Sequence, residues 1–250
     1  MSLFETRVQS LRPLFEEGAR PIEAPRAELP PSKAHAGLIL QNEARCELGG
    51  PGHASALALL YTNSKAKDCA RLIGRSLAKV GTDGADFALV LVAGGAQLDA
   101  ETFYQLTVRF PRLADHPGWM VKTDKSTVWV RAGAGDPSQA LSVAAASLTA
   151  RIRETFDKVE SVELYFVIGQ KELVEKLHAA GEDCRELMRE LKTGVWKERG
   201  FDYTSCQLAG HCGSCSDKKT CASVRRMQAQ VRMVRRQKTK EDKEEQPCTK

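Results

Sequence analysis

Four of the eight cysteines fall within one run of sixteen residues, Cys206-Gln-Leu-Ala-Gly-His-Cys212-Gly-Ser-Cys215-Ser-Asp-Lys-Lys-Thr-Cys221. Thiolates are soft ligands that hold zinc or iron–sulfur clusters, and four on a short loop can close around one metal centre. The spacing is C-x5-C-x2-C-x5-C. Structural zinc sites generally use two close pairs separated by a longer loop. Here a single close pair, Cys212 and Cys215, is flanked by one cysteine on each side. A cubane needs one thiolate per iron, so the pattern favours a 4Fe–4S cluster on Cys206, Cys212, Cys215 and Cys221, with zinc as the alternative. His211 reads as a loop residue, since four thiols already suffice.

The remaining sequence has to supply a body for that loop. Hydrophobic residues make up 42% of the 250, enough for an ordinary core. No apolar run reaches eighteen residues, so no membrane span is expected. The N-terminal stretch Met-Ser-Leu-Phe-Glu-Thr-Arg has no basic start followed by an apolar block, so no secretory signal is expected. A cytoplasmic chain follows, where disulfides are rare and clustered cysteines point to metal. The net charge of +5 is unevenly spread: eleven Lys/Arg against five Asp/Glu lie from Asp217 onward, which leaves the rest near −1. The basicity belongs to the tail, which argues against a whole-domain nucleic-acid surface, and nucleic acid is not the expected partner.

Strand and helix patterns alternate along the body. Leu3, Phe4, Val8, Leu11, Leu14 and Phe15 are near helical spacing, with Pro13 interrupting, and whether this helix packs on the body or forms an arm is left open. Pro21, Pro25, Pro30 and Pro31 mark a linker. Leu38 to Leu40 and Ser55 to Tyr61 read as strands; between them, Cys46 to His53 is Gly-rich and reads as a turn rather than a phosphate cradle, since it lacks GxGxxG and GK[ST]. Lys65 to Val80 reads as a helix with Ala70, Leu72, Ile73, Leu77 and Val80 on its apolar face. Phe87 to Ala93 is an apolar run expected to be a strand buried on both faces. Asp99 is placed to cap a helix that stops at Pro111, and Thr127 to Arg131 reads as a strand. Asp136-Pro137 opens an alanine-rich helix to about Phe156, Val162 to Ile168 is the last strand, and a helix runs from Lys171 towards Leu191.

This order predicts an α/β (α+β) chain: a mixed sheet with packed helices, then the four-cysteine loop and a basic helical tail. The expected boundaries are 1–36 for the first helix and linker, 37–200 for the α/β domain, 201–224 for the cysteine module and 225–250 for the tail. Val224, Met227, Val231 and Val234 give the tail a basic amphipathic face suited to an acidic partner.

The cysteine spacing is close to the C-x6-C-x2-C-x5-C loop of endonuclease-III-like DNA glycosylases, which implies a DNA-associated iron–sulfur protein as one alternative. Those enzymes are all-helical, unlike this body. A broader resemblance runs from Cys46 to Cys221. Glu47-Leu-Gly-Gly-Pro, the strand Phe87 to Gly95, Pro117-Gly-Trp119, Trp129-Val-Arg131, the strand Val162 to Ile168 and Phe201-Asp-Tyr-Thr-Ser-Cys206 occur in an order that resembles the beta subunit of the CO dehydrogenase/acetyl-CoA synthase complex. It covers that family's middle domain and the start of its cluster segment. The resemblance implies a 4Fe–4S protein of anaerobic one-carbon and acetyl-CoA metabolism, acting in electron transfer or as an accessory subunit beside a CO dehydrogenase or corrinoid-type partner. It also implies that Trp119 and Arg131 lie in a region linked to coenzyme A, so that a coenzyme A or nucleotide-binding module with a structural metal loop is the other alternative. Cys206 matches the first cluster cysteine, while Cys212, Cys215 and Cys221 match by role only. The family's nickel-holding Cys-Gly-Cys is absent from this sequence, so nickel is not expected, and catalysis is expected only within a CO-methylating acetyl-CoA synthase-type complex. No serine–histidine–acid grouping, paired-carboxylate motif or P-loop is readable. The other cysteines, Cys46, Cys69, Cys184 and Cys248, have no ligand spacing.

Overall fold

Two runs, Phe87–Gly94 (FALVLVAG) and Ser161–Ile168 (SVELYFVI), are buried at every position and lie side by side at the centre of the fold. Strands apolar on both faces belong in the middle of a covered sheet. The computed structural model describes residues 3–23, 44–64, 67–116, 118–133 and 137–198. The expected strand at Leu38 to Leu40, the cysteine loop and the basic tail lie outside them.

In chain order the elements are α1 (Leu3–Glu16), β1 (Arg20–Pro21), β2 (Cys46–Leu48), β3 (Ser55–Thr62), β4 (Cys69–Gly74), a 3-10 turn at Leu77–Lys79, β5 (Phe87–Gly94), α2 (Ala100–Ala114), β6 (Trp119–Asp124), β7 (Thr127–Ala132), α3 (Pro137–Thr155), β8 (Ser161–Ile168) and α4 (Lys171–Glu198). Compactness divides the chain into Met1–Lys192 and Thr193–Lys250; apart from the last residues of α4, the described residues belong to the first unit.

The main sheet has the order β1-β4-β8-β5-β3. β3 runs parallel to β5 and β4 parallel to β8, while β5 and β8 meet antiparallel, Phe87 opposite Ile168. The mixed sheet expected from the sequence is therefore present, as two parallel pairs joined at an antiparallel seam. A second, three-stranded antiparallel sheet, β2-β7-β6, was not anticipated.

Residues 65–80 are a correction. The apolar positions suited a helix, but Cys69–Gly74 is a strand against β8, with Leu72 opposite Phe166. Leu72 and Ile73 are both buried, as a covered strand permits on its two faces. Gly74 then turns at φ +86, with its α-carbon so near the Ile168 carbonyl that a side chain would collide with it. Pairing with a fully buried neighbour overrides a short window's helical periodicity.

The helices also run further than proline suggested. α1 passes through Pro13, and α2 passes through Pro111 to Ala114. In α2 the buried stripe Phe103, Leu106, Phe110 and Ala114 continues one turn past the proline. Packing on both sides of Pro111 offsets the single hydrogen bond that proline removes. Asp99 caps α2 as expected, its carboxylate accepting from the Thr102 amide at 2.7 Å.

The first helix packs back on the body. Val8, Leu11 and Phe15 are buried, and the Phe15 ring centroid lies 4.7 Å from that of Tyr165 on β8. Burying each such side chain contributes about 1.5–3 kcal/mol. α4 crosses the β3 edge at Gly181, where a Cβ would stand 2.6 Å from the Leu57 carbonyl oxygen. At this point of the edge the Leu57 amide also donates to the Ser126 carbonyl at 2.6 Å, so the backbone of Leu57 is not left open to pairing.

Candidate functional site

The small sheet carries the described residues of greatest chemical interest. Strand alternation sends Trp119, Val121, Thr123, Val128, Val130 and Ala132 to one face of the β6–β7 hairpin, and Met120, Lys122, Asp124, Thr127, Trp129 and Arg131 to the other. The first set packs inward: Trp119 is 3% exposed, stacked near-parallel on His116 and edge-on to Phe166. Arg131, on the opposite face, is also buried, and its Nε lies 2.9 Å from Glu47 Oε1 on β2. Trp119 and Arg131 are therefore not brought together. Trp119 has no open ring face, and Arg131 has a carboxylate partner already.

Of the two hairpin tryptophans, Trp129 is the more accessible. It is half-buried, and its register partner across the hairpin is Lys122. The Lys122 ammonium stands 4.9 Å from the Trp129 ring centroid, within cation–π range. Both line an open cleft of about 590 Å³, together with Gly49, Ser55, Pro111, Thr123 and Thr127. The Gly-rich turn after β2 forms part of its wall. A Cβ on Gly50 would stand 2.9 Å from Trp129 Nε1, so the turn passes directly against the indole. The indole nitrogen is buried and has no acceptor among the described residues. Lys122 was missed in the sequence because β6 itself was missed. The signal was there: Asp124-Lys-Ser-Thr127 is a turn between two alternating runs.

The hairpin tip holds a serine–histidine–acid cluster that no sequence spacing reveals. Ser126 Oγ lies 2.5 Å from Glu182 Oε1 and 2.9 Å from His178 Nε2, both on α4. The Ser126 hydroxyl, first, and then Arg185 hold the Glu182 carboxyl below its usual range against the opposing effect of desolvation, so it is an acceptor near neutral pH. A hydroxyl has one proton to donate, and Ser126 gives it to Glu182. His178 Nε2 must then be the donor to Ser126. A nucleophilic serine needs the reverse, an unprotonated nitrogen facing it. Ser126 is also 1% exposed, and its carbonyl accepts from the Leu57 amide at 2.6 Å. The cluster fastens the hairpin tip to α4 and β3.

No family model matches the chain, and no curated protein does either. Function therefore rests on residues.

The four closely spaced cysteines, Cys206, Cys212, Cys215 and Cys221, lie outside the described residues, as does Cys248. Among the described residues no group of three His, Cys, Asp or Glu side chains is arranged to hold a metal. Cys46 and Cys184 are buried, and burial pushes both thiols up to about 11. Cys69 is partly exposed at the start of β4; burial, with the nearby Glu163 charge, raises its thiol as well. Thiols raised in this way are poor nucleophiles and poor ligands at neutral pH. Among the described residues no helix is long and apolar enough to cross a membrane.

Proposed function

We propose that the protein is a 4Fe–4S protein related to the beta subunit of the CO dehydrogenase/acetyl-CoA synthase complex, acting in the cytoplasm as an electron-transfer or accessory subunit of anaerobic one-carbon and acetyl-CoA metabolism. The C-x5-C-x2-C-x5-C run from Cys206 to Cys221 carries this reading. It offers one soft ligand per iron of a cubane. The colinear resemblance from Cys46 to Cys221 supports it. With all four loop thiols committed to the cluster and no Cys-Gly-Cys in the sequence, nickel is not part of the proposal. Its partner is a redox protein, or a CO dehydrogenase or corrinoid-type protein, and any acetyl transfer belongs to the assembled complex.

Anaerobic purification with iron, sulfide and zinc analysis and electron paramagnetic resonance tests this. The expected result is brown protein with close to four irons and four sulfides per chain, as a cubane requires. Serine at Cys206, Cys212, Cys215 or Cys221 lowers that content. Stoichiometric zinc without iron overturns the proposal.

A second reading is favoured by one observation, the cleft where Trp129 stands beside Lys122. In it the body binds coenzyme A or a related nucleotide. An aromatic face for a base and a lysine for phosphate are the two elements such a ligand uses. On this reading the ligand meets Trp129 and Lys122, which line the cleft. Binding that survives Trp129→Leu at full strength removes it.

A further inference from the structure

We propose that Lys122 is the selectivity residue of the Trp129 cleft, admitting ligands that join an anionic group to a planar ring and disfavouring those with the ring alone. The inference rests on the second reading above, that the cleft takes a nucleotide-type ligand, and goes beyond it by assigning the discrimination to one side chain.

Three observations carry it. Lys122 and Trp129 face each other in the hairpin register, so their side chains leave the same face of the sheet. The Lys122 ammonium rests 4.9 Å from the indole centroid, over the surface a ligand ring would stack on. The other cation of this face, Arg131, is buried against Glu47, which leaves Lys122 as the exposed cation at the cleft.

A bare ring must displace the ammonium before it can stack, and loses the cation–π contact in doing so. That contact corresponds to a factor of about 2–5 in affinity at an exposed site. A ring bearing a phosphate offers the ammonium a better partner. Lysine moves from the indole to the anion, and the same movement uncovers the ring face for stacking. A charge-assisted contact of this kind, screened by solvent and salt, contributes roughly tenfold. Thr127, on the same face as Lys122 and Trp129, also lines the cleft and brings a hydroxyl to the ligand's polar edge. Asp124, two residues along the same face, is a like charge to the anion and keeps it from the hairpin-tip end.

The test follows the indole N–H resonance of Trp129 in the full chain, identified by its loss in Trp129→Phe, during titration with adenosine 5′-monophosphate and with adenosine. The monophosphate is expected to bind about tenfold more tightly than adenosine at low salt, the ratio falling as salt is added. Lys122→Met is expected to weaken the monophosphate and strengthen adenosine two- to fivefold, so that the ratio approaches one. Lys122 is exposed, and the thermal midpoint of the variant checks that it remains folded. If both compounds shift the Trp129 resonance but Lys122→Met leaves their ratio unchanged, the assignment to Lys122 is overturned while the cleft reading stands. If neither compound moves that resonance at millimolar concentration, in wild type or variant, the cleft reading falls and the selectivity role with it.

Discussion

Arg12 on α1 grips Glu163 on β8 at two points, Nη2 to Oε1 at 2.8 Å and Nη1 to Oε2 at 3.0 Å, across 151 positions of sequence. Glu163 is 5% exposed and is the one charged residue of a central strand. The Tyr165 hydroxyl donates to the same carboxylate at 3.0 Å, and Glu16 takes a second contact from Arg12 at 2.6 Å. Glu163 first, with Glu16 in support, holds the guanidinium above its ordinary range against the effect of burial. Burial first, and then the Glu163 charge, pushes the Tyr165 phenol up as well. The pair registers the first helix on the sheet.

Removing one partner of that pair leaves a buried charge without compensation. Arg12→Met is expected to lower unfolding free energy by about 3–5 kcal/mol. Arg12→Met combined with Glu163→Gln removes the stranded charge, keeps an acceptor for Tyr165, and should recover at least half of the loss. Urea denaturation reads both. Equal destabilisation in the single and double variants would show that the cost comes from helix packing rather than from the charge.

Asp99 caps α2 and also meets Lys158 Nζ at 2.7 Å. Partial burial raises its carboxyl, but the Lys158 ammonium and the Thr102 amide and hydroxyl outweigh that and bring it down to about 2. A depressed carboxyl contributes stability that is fully present above the unfolded value near 3.9 and is lost as pH falls towards 2. Asp99→Ala is expected to cost about 1 kcal/mol as a lost cap. Acid-unfolding profiles from pH 5 to pH 2 should be flatter in Asp99→Asn than in wild type.

The hairpin latch can be followed at Glu182. Its lowered carboxyl owes most to the Ser126 hydroxyl, so Ser126→Ala should move its titration upward towards the ordinary glutamate value. Carbon-13 NMR of the Glu182 carboxyl measures this directly. The same sign rule makes the latch's contribution present above the unfolded glutamate value and lost as pH drops through the depressed one. A Glu182 titration unaffected by Ser126→Ala contradicts the contact.

Buried thiols give a simple readout of the body. With thiols raised to about 11, Cys46 and Cys184 should resist alkylation at pH 8 in the native protein and react fully in denaturant. Peptide mass spectrometry assigns each site. Cys69, partly exposed but also raised, should react at a rate between the buried and the denatured thiols.

Much of the fold was legible from short patterns. Phe87 to Gly94 and Val162 to Ile168 announced themselves as central strands because every position is apolar except Glu163 and the small Gly94. Asp99 was readable as a cap because capping is local, involving residues three apart. Of the small sheet only β7 was legible, since β2 is three residues long and β6 mixes Trp, Met, Val, Lys, Thr and Asp. The cleft was correspondingly hidden. Of its two tryptophan candidates, the sequence favoured Trp119, whereas ring exposure depends on which face of an unforeseen strand each occupies.

The sequence by itself determined what local order encodes: a dense run of cysteines from Cys206 to Cys221, alternating strands and helices before it, and a basic stretch after it. Only the tertiary structure decided that Cys69–Gly74 is a strand, that the first helix docks through Arg12, and that Lys122 lies over Trp129. The physical reason is the same in each case. These outcomes depend on partners brought from far along the chain, β8 for Cys69–Gly74 and Glu163 for Arg12, or on a strand register, β6 against β7 for Lys122. No window of sequence contains a long-range contact whose energy exceeds the local preference it overrides.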